Sequence, residues 1–204
     1  MTRANLQVTD YDAAGRPGDD DVAVLSAPLS DLLTQELDGA SAALAVGVGD
    51  VLLAALGGAI ERTIGGGVVA VDVPGHGRTV SAVSLSCVGP QTTNATEMLA
   101  GVHRMVAAVS VHRVLRGVPD AHEQPLSDIL FAYGTSDPAR LGHVLELHAY
   151  RRGEVLVLDW WYDTRSFEPY TVQELSEQFP YALIELTSEA TAPVLAAAEL
   201  AMAY

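Results

Sequence analysis

Apolar residues recur along this chain with two spacings, one helical and one of alternating strand type, and glycine, proline or a short polar run closes each stretch. Val22, Val24 and Leu25 open the series as a short strand. Ser30 can then cap a helix whose apolar positions are Leu32, Leu33 and Leu37. Asp50 is placed to cap a second helix, in which Leu52, Leu53, Leu56, Ile60 and Ile64 fall at three- and four-residue intervals before Gly65, Gly66 and Gly67 end it. Val68, Val69, Ala70, Val71 and Val73 follow as a largely β-branched run between glycine and proline, the pattern of a strand covered on both faces.

Residues 80–88 read as a second apolar, serine-rich strand. Asn94 with Glu97 forms a capping-box pattern, and Met98, Val102, Met105, Val106 and Val109 stripe the helix behind it. A polar loop over 119–125 precedes a strand at 129–133 and a turn at 134–138. Residues 144–150 and 155–162 read as a hairpin joined through Arg151, Arg152, Gly153 and Glu154. Thr171 and Glu174 suggest another capping box, opening a helix striped by Val172, Leu175, Phe179, Leu183 and Leu186, with a kink expected at Pro180 and a separate short helix over 193–201. Helix-to-strand order of this kind predicts an α/β fold, a mixed sheet flanked by helices. Residues 1–21, rich in aspartate and turn formers, read as a polar lead-in or edge segment, and 22–204 as the main domain.

At 204 residues, 49% hydrophobic and 18% charged, the chain has the composition of a folded globular domain. Its net charge of -15 disfavours nucleic acid and anionic membrane surfaces as partners. All 11 basic residues are arginine, which removes Schiff-base chemistry and a P-loop lysine. Cys87 is the single cysteine, so no internal disulfide forms; on its strand it reads as a buried thiol rather than a nucleophile, and a reducing, cytoplasmic setting is expected. Residues 1–21 lack the apolar core of a secretory signal, and no apolar run reaches the ~18 residues of a membrane span.

Val73-Pro74-Gly75-His76-Gly77-Arg78, directly after a buried strand, resembles the EGHGRE segment of the condensation and epimerization domains of nonribosomal peptide synthetases. Upstream, Asp50 to Leu56 is similar to the family's D-x-L-L-x-A-L helix. Downstream, Asp128-Ile129-Leu130-Phe131-Ala132-Tyr133 resembles its V-L-F-N-Y strand, Leu158-Asp159-Trp160-Trp161-Tyr162 its L-x-x-W-x-Y, and Thr171-Val172-Gln173-Glu174-Leu175 its T-V-x-x-L helix. These landmarks stand in family order over about 25–188 and match only the C-terminal half of such domains. The resemblance implies one lobe of a chloramphenicol acetyltransferase-like architecture, in which two α/β lobes flank a tunnel entered by carrier-bound substrates.

The family's catalytic HHxxxD belongs to the other lobe, and it does not occur here: His103, His112, His122, His143 and His148 each stand alone. Pro74 replaces the glutamate implicated in α-proton transfer, Ala132 replaces the strand asparagine, and the family's V-G-W-F has no counterpart at 81–87. Epimerization is therefore disfavoured, and the expected role is the C-terminal half of a condensation- or epimerization-type domain in nonribosomal peptide, antibiotic or related secondary-metabolite biosynthesis, inactive alone. The alternative is a stand-alone, non-catalytic module that grips a carrier protein or partner subunit. The expected partners are a lobe carrying HHxxxD or a second copy, and a peptidyl or acyl carrier whose phosphopantetheine delivers substrate; no cofactor of the chain itself is expected.

Four residues are the candidate lobe-interface or tunnel positions. His76 is read as a turn residue between two glycines, with substrate contact as the alternative. Arg78 has either a solvated position or a carboxylate partner, which in the family is the aspartate of the other lobe's histidine motif. Tyr133 ends its strand, and Trp161 lies among alternating aromatics of which some face the core and one can line the groove. His143 and His148 straddle Glu146, but a spacing of five on a strand places their rings on opposite faces, which argues against a metal site.

Overall fold

A computed structural model of the chain describes residues 4–74, 79–89, 93–108, 113–114, 127–134 and 142–201, with the backbone alone at 79, 113–114 and 190–201. Its elements are β1 (Val22–Pro28), α1 (Asp31–Leu44), α2 (Val48–Thr63), β2 (Gly67–Pro74), β3 (Thr79–Cys87), α3 (Ala95–Ala107), β4 (Arg113–Val114), β5 (Ile129–Tyr133), β6 (Leu145–Arg152), β7 (Val155–Asp163) and α4 (Pro169–Ala201). The strands form one sheet in the order β1-β7-β6-β5-β2-β3-β4. β5 pairs in parallel with β2 and with β6, and the remaining pairs are antiparallel. This is the mixed sheet with flanking helices that the pattern predicts.

Two helix starts follow the sequence signals. Ser30 Oγ accepts the Leu33 N–H at 3.2 Å, and Asn94 Oδ1 accepts the Glu97 N–H at 2.9 Å. Gly153, at φ 65°, turns the β6–β7 hairpin.

Two other starts differ from expectation. α2 begins at Val48 with Gly47 as its cap, because the Asp50 and Val51 N–H groups both donate to the Gly47 carbonyl; Asp50 sits inside the first turn, beside the positive end of the helix. α4 begins at Pro169, where a missing N–H costs nothing, and not at a Thr171 cap. The same helix runs on through Pro180 and Pro193 to Ala201, so the expected separate last helix is part of this one element. Phe179, Ala182 and Leu183 beside Pro180 are buried, and that burial outweighs the ~3 kcal/mol an interior proline costs.

All four helices pack on one face of the sheet. Leu37 of α1, Leu56 and Ile60 of α2, Leu99 of α3 and Phe179 of α4 share a core with Val71, Ile129, Leu147 and Trp160 of the strands. The Trp160 and Phe179 rings meet edge to face at 5.8 Å. Residues 4–21 are tied to this body: the Asn5 N–H donates to the Val68 carbonyl, Val8 is buried, and the Glu168 N–H donates to Asp10. Among the described residues no single helix is long and apolar enough to cross a membrane.

Candidate functional site

Strand side chains alternate between faces, so the register assigns each one to the helix side or the helix-free side. Asp72 of β2 stands beside Leu130 of β5, Leu130 beside Glu146 of β6, and Glu146 beside Trp161 of β7. This row, with His148, Tyr150 and Asp159, lies on the face that carries no helix. One side of the sheet is a hydrocarbon core; the other holds carboxylates, imidazoles and a phenol.

Asp72 is fully buried, and its two oxygens accept the Ser127 hydroxyl at 2.9 Å and the Ser127 N–H at 3.0 Å. His143 Nε2 lies 3.1 Å from the same carboxylate. Glu146, also fully buried, accepts the His143 backbone N–H at 2.9 Å on one oxygen and faces His148 Nε2 at 2.9 Å on the other. An ionised carboxylate only accepts, so Nε2 is the nitrogen that carries hydrogen in each pair, and the His143 backbone N–H links Asp72–His143 to Glu146–His148 in one chain of contacts. Burial pushes the His143 pKa down, but the hydrogen bond its ring donates to Asp72 and the Glu146 carboxylate 3.7 Å from Nδ1 outweigh it and hold the pKa above the ordinary imidazole value. The Nδ1 atoms of His143 and His148 have no hydrogen-bond partner among the described residues.

A second chain crosses β1, β7 and β6. Asp159 accepts the Ser26 hydroxyl at 2.6 Å and the Tyr150 hydroxyl at 2.8 Å, while Arg152 Nη2 donates to the Tyr150 oxygen at 3.1 Å. The hydrogen bond to Asp159 raises the Tyr150 pKa, so its hydroxyl stays a donor. Among the described residues no group of three or more histidine, cysteine, aspartate or glutamate side chains could hold a metal ion. The Cys87 thiol, fully buried on the core side, is pushed up to about 12 by burial and by Glu61. The chemistry this face offers is fixed charge and hydrogen bonding.

The structure corrects the reading of His143 and His148: both rings meet Glu146. β6 starts only at Leu145, so strand alternation does not reach His143, and Gly142 at φ 80° turns the chain into it. His76 and Arg78 lie outside the described residues, as do His112 and His122. Tyr133 and Trp161 are not brought together. Tyr133 is on the helix side at the end of β5, its ring against the Gly49 backbone of α2, whereas Trp161 is on the helix-free side beside Glu146 and Val24. Near Tyr133, exposed His103 of α3 meets Asp50 of α2 at 2.7 Å. Asp72 and Glu146 are absent from the sequence-based candidates although a signal exists: Asp72 interrupts an apolar strand, and Glu146 and His148 alternate with Leu145, Leu147 and Ala149.

The chain has a condensation-domain-like, chloramphenicol acetyltransferase-like fold, as its similarity to solved structures shows. It is similar to the epimerization domain from the third module of tyrocidine synthetase B, at 18% identity and TM-score 0.68, over 94% of this chain and 53% of that one. It is also similar to the EpoB cyclization-docking bidomain from Sorangium cellulosum, at 15% identity and TM-score 0.65, over 91% of this chain and 45% of that one. In sequence it is 33% identical over 242 residues to a subunit of the phenolphthiocerol/phthiocerol polyketide synthase of Mycobacterium tuberculosis, covering 94% of this chain and 16% of that protein. The chain thus spans about half of the solved chains and a small part of the curated relative. No protein-family model matches it.

Proposed function

We propose that this chain is the C-terminal lobe of a condensation- or epimerization-type acyl-transfer domain serving nonribosomal peptide or polyketide biosynthesis, and that it is inactive until a lobe carrying HHxxxD docks on it. The observation that carries the reading is coverage: the fold match takes in 94% of this chain and stops at 53% of the epimerization domain. Sequence similarity to a polyketide synthase subunit supports the same pathway class. The lobe's contribution is positioning, because the general base of the family's HHxxxD motif is not in this chain. A carrier protein with a phosphopantetheine arm delivers substrate to the assembled tunnel, in the cytoplasm.

One observation favours the second reading, a self-contained binding module. Asp72, Glu146 and Asp159 already have hydrogen-bond partners within the chain. Such a face keeps its shape without a second lobe.

The test uses purified chain with carrier-bound aminoacyl and acyl thioesters. No condensation, epimerization or ester formation above the buffer control is expected from the chain alone, and turnover is expected when an N-terminal lobe with HHxxxD is supplied. Turnover by the chain alone that survives dialysis against a chelator overturns the half-domain reading; a stable complex with a carrier protein but none with the lobe supports the binding module.

A further inference from the structure

Away from the polar sheet face, the start of α1 and the middle of α4 border a groove lined by buried Leu29 and Leu33 and by Pro180. Its walls expose large apolar side chains to solvent: Leu32 is 66% exposed, Tyr181 60% and Ile184 43%. Isolated exposed apolar residues are ordinary, but three lining one groove between two helices make a contiguous patch of the kind that partners cover. Glu36 on α1 and Glu177 on α4 also line the groove, and no arginine does. The groove is therefore apolar at its base and negative at its edges.

We propose that this groove docks an amphipathic α-helix of a partner protein, one with an aliphatic stripe flanked by lysine or arginine. Two packed helices present a channel that accepts a third along its length, and a stripe at helical spacing meets Leu32, Tyr181 and Ile184 together. Cations on the helix flanks meet Glu36 and Glu177, and the whole chain's charge of -15 steers such a helix inward. A second copy of the chain is the poorer occupant. Groove-to-groove contact sets Glu36 and Glu177 against their own counterparts, and a chain without lysine has few cations to offer. The groove lies on the helix layer, on the side of the sheet away from Asp72 and Glu146.

The experiment is fluorescence anisotropy with a synthetic helix of about 18 residues, long enough for five turns, carrying a leucine stripe and lysine flanks. Two comparison peptides keep the stripe with glutamate flanks, or keep the lysines and scramble the stripe. The lysine-flanked helix is expected to bind at least about tenfold more tightly than either, with affinity falling as salt rises from about 50 to about 300 mM. Leu32→Ser with Ile184→Ser should lose about tenfold in affinity, and Glu36→Gln with Glu177→Gln should weaken binding and flatten the salt dependence. These four side chains are exposed, so the variants should unfold at the wild-type temperature; Tyr170→Ser, at an exposed position elsewhere on α4, should bind as wild type. Equal binding of the scrambled peptide, or full affinity in Leu32→Ser with Ile184→Ser, overturns the proposal. So does absence of binding, or dimerisation in sedimentation that the same pair abolishes.

Discussion

Asp72 Oδ2 and His143 Nε2 stand 3.1 Å apart with both side chains out of solvent, joined across the strand that separates β2 from β6. A single imidazole thereby ties two parallel strands that share no backbone hydrogen bond with each other. Its own backbone N–H and Nδ1 edge turn to Glu146, so the same residue also fixes the entry to β6. The polar face is held by long-range contacts, and its stability is linked to protonation.

The sign of that linkage follows from His143. Its folded pKa lies above the ordinary 6.5, because the bond to Asp72 and the nearby Glu146 carboxylate outweigh burial. The stabilisation is fully present below about pH 6.5, where both folded and unfolded states are protonated, and it is lost as pH rises through the folded value. Urea midpoints measured from about pH 6 to about pH 9 should fall with pH, and His143→Gln should flatten that part of the curve. A wild-type midpoint rising over this range contradicts the assignment.

Glu146→Gln tests the other half of the chain. The amide replaces one acceptor oxygen with a donor, facing either the His143 N–H or His148 Nε2. A loss of about 2 kcal/mol in unfolding free energy is expected, the usual cost of stranding a buried donor beside a former charge. The variant should also shrink the pH dependence set by His143. An unchanged urea midpoint would show that Glu146 does not bear this load.

Two glycines should respond to alanine with opposite signs. A Cβ on Gly57 would stand 2.9 Å from the Ser86 carbonyl oxygen, where α2 crosses β3, while a Cβ on Gly39 of α1 meets nothing within 4 Å. Gly57→Ala should therefore destabilise by about 1–3 kcal/mol through overpacking against backbone. Gly39→Ala should stabilise by up to about 1 kcal/mol, since alanine restricts the unfolded chain and favours helix. Thermal unfolding of both variants checks the pair, and like signs would refute the close approach.

Local signals carried most of the secondary structure. Ser30 and Asn94 cap the helices they introduce, and the alternation around Glu146 marks β6. What stayed hidden is set by contacts between distant segments. Residues 193–201 read locally as a separate helix, but they continue α4; β4, two residues long, is a strand only because it pairs with β3. Tyr133 and Trp161 look alike as aromatics at strand ends, yet sheet register places them on opposite faces. Asp72 and His143 lie 71 positions apart in sequence, so no periodicity joins them.

Cys87 offers a probe of opening. Its thiol is fully buried, and burial pushes its pKa up to about 12, so almost no thiolate exists at neutral pH. An aromatic disulfide reagent at neutral pH should leave the native chain unmodified and label one thiol per chain on denaturation. Rapid labelling of the folded protein would contradict the packing of β3 under α2.

Arg78 separates the two functional readings. In the resembled family the matching arginine pairs with the aspartate of the other lobe's histidine motif, so under the lobe reading its partner arrives only on docking. Arg78→Ala should then weaken the complex with a supplied N-terminal lobe by about 2 kcal/mol or more, and leave the melting temperature of the lone chain nearly unchanged. Under the binding-module reading its hydrogen bonds are satisfied within this chain, and the same substitution lowers the melting temperature of the protein alone. Differential scanning calorimetry of both proteins, with and without the lobe, measures both quantities at once. A destabilised lone chain with unchanged lobe affinity would reject the half-domain mechanism, because the charge would then have been neutralised before any lobe arrived.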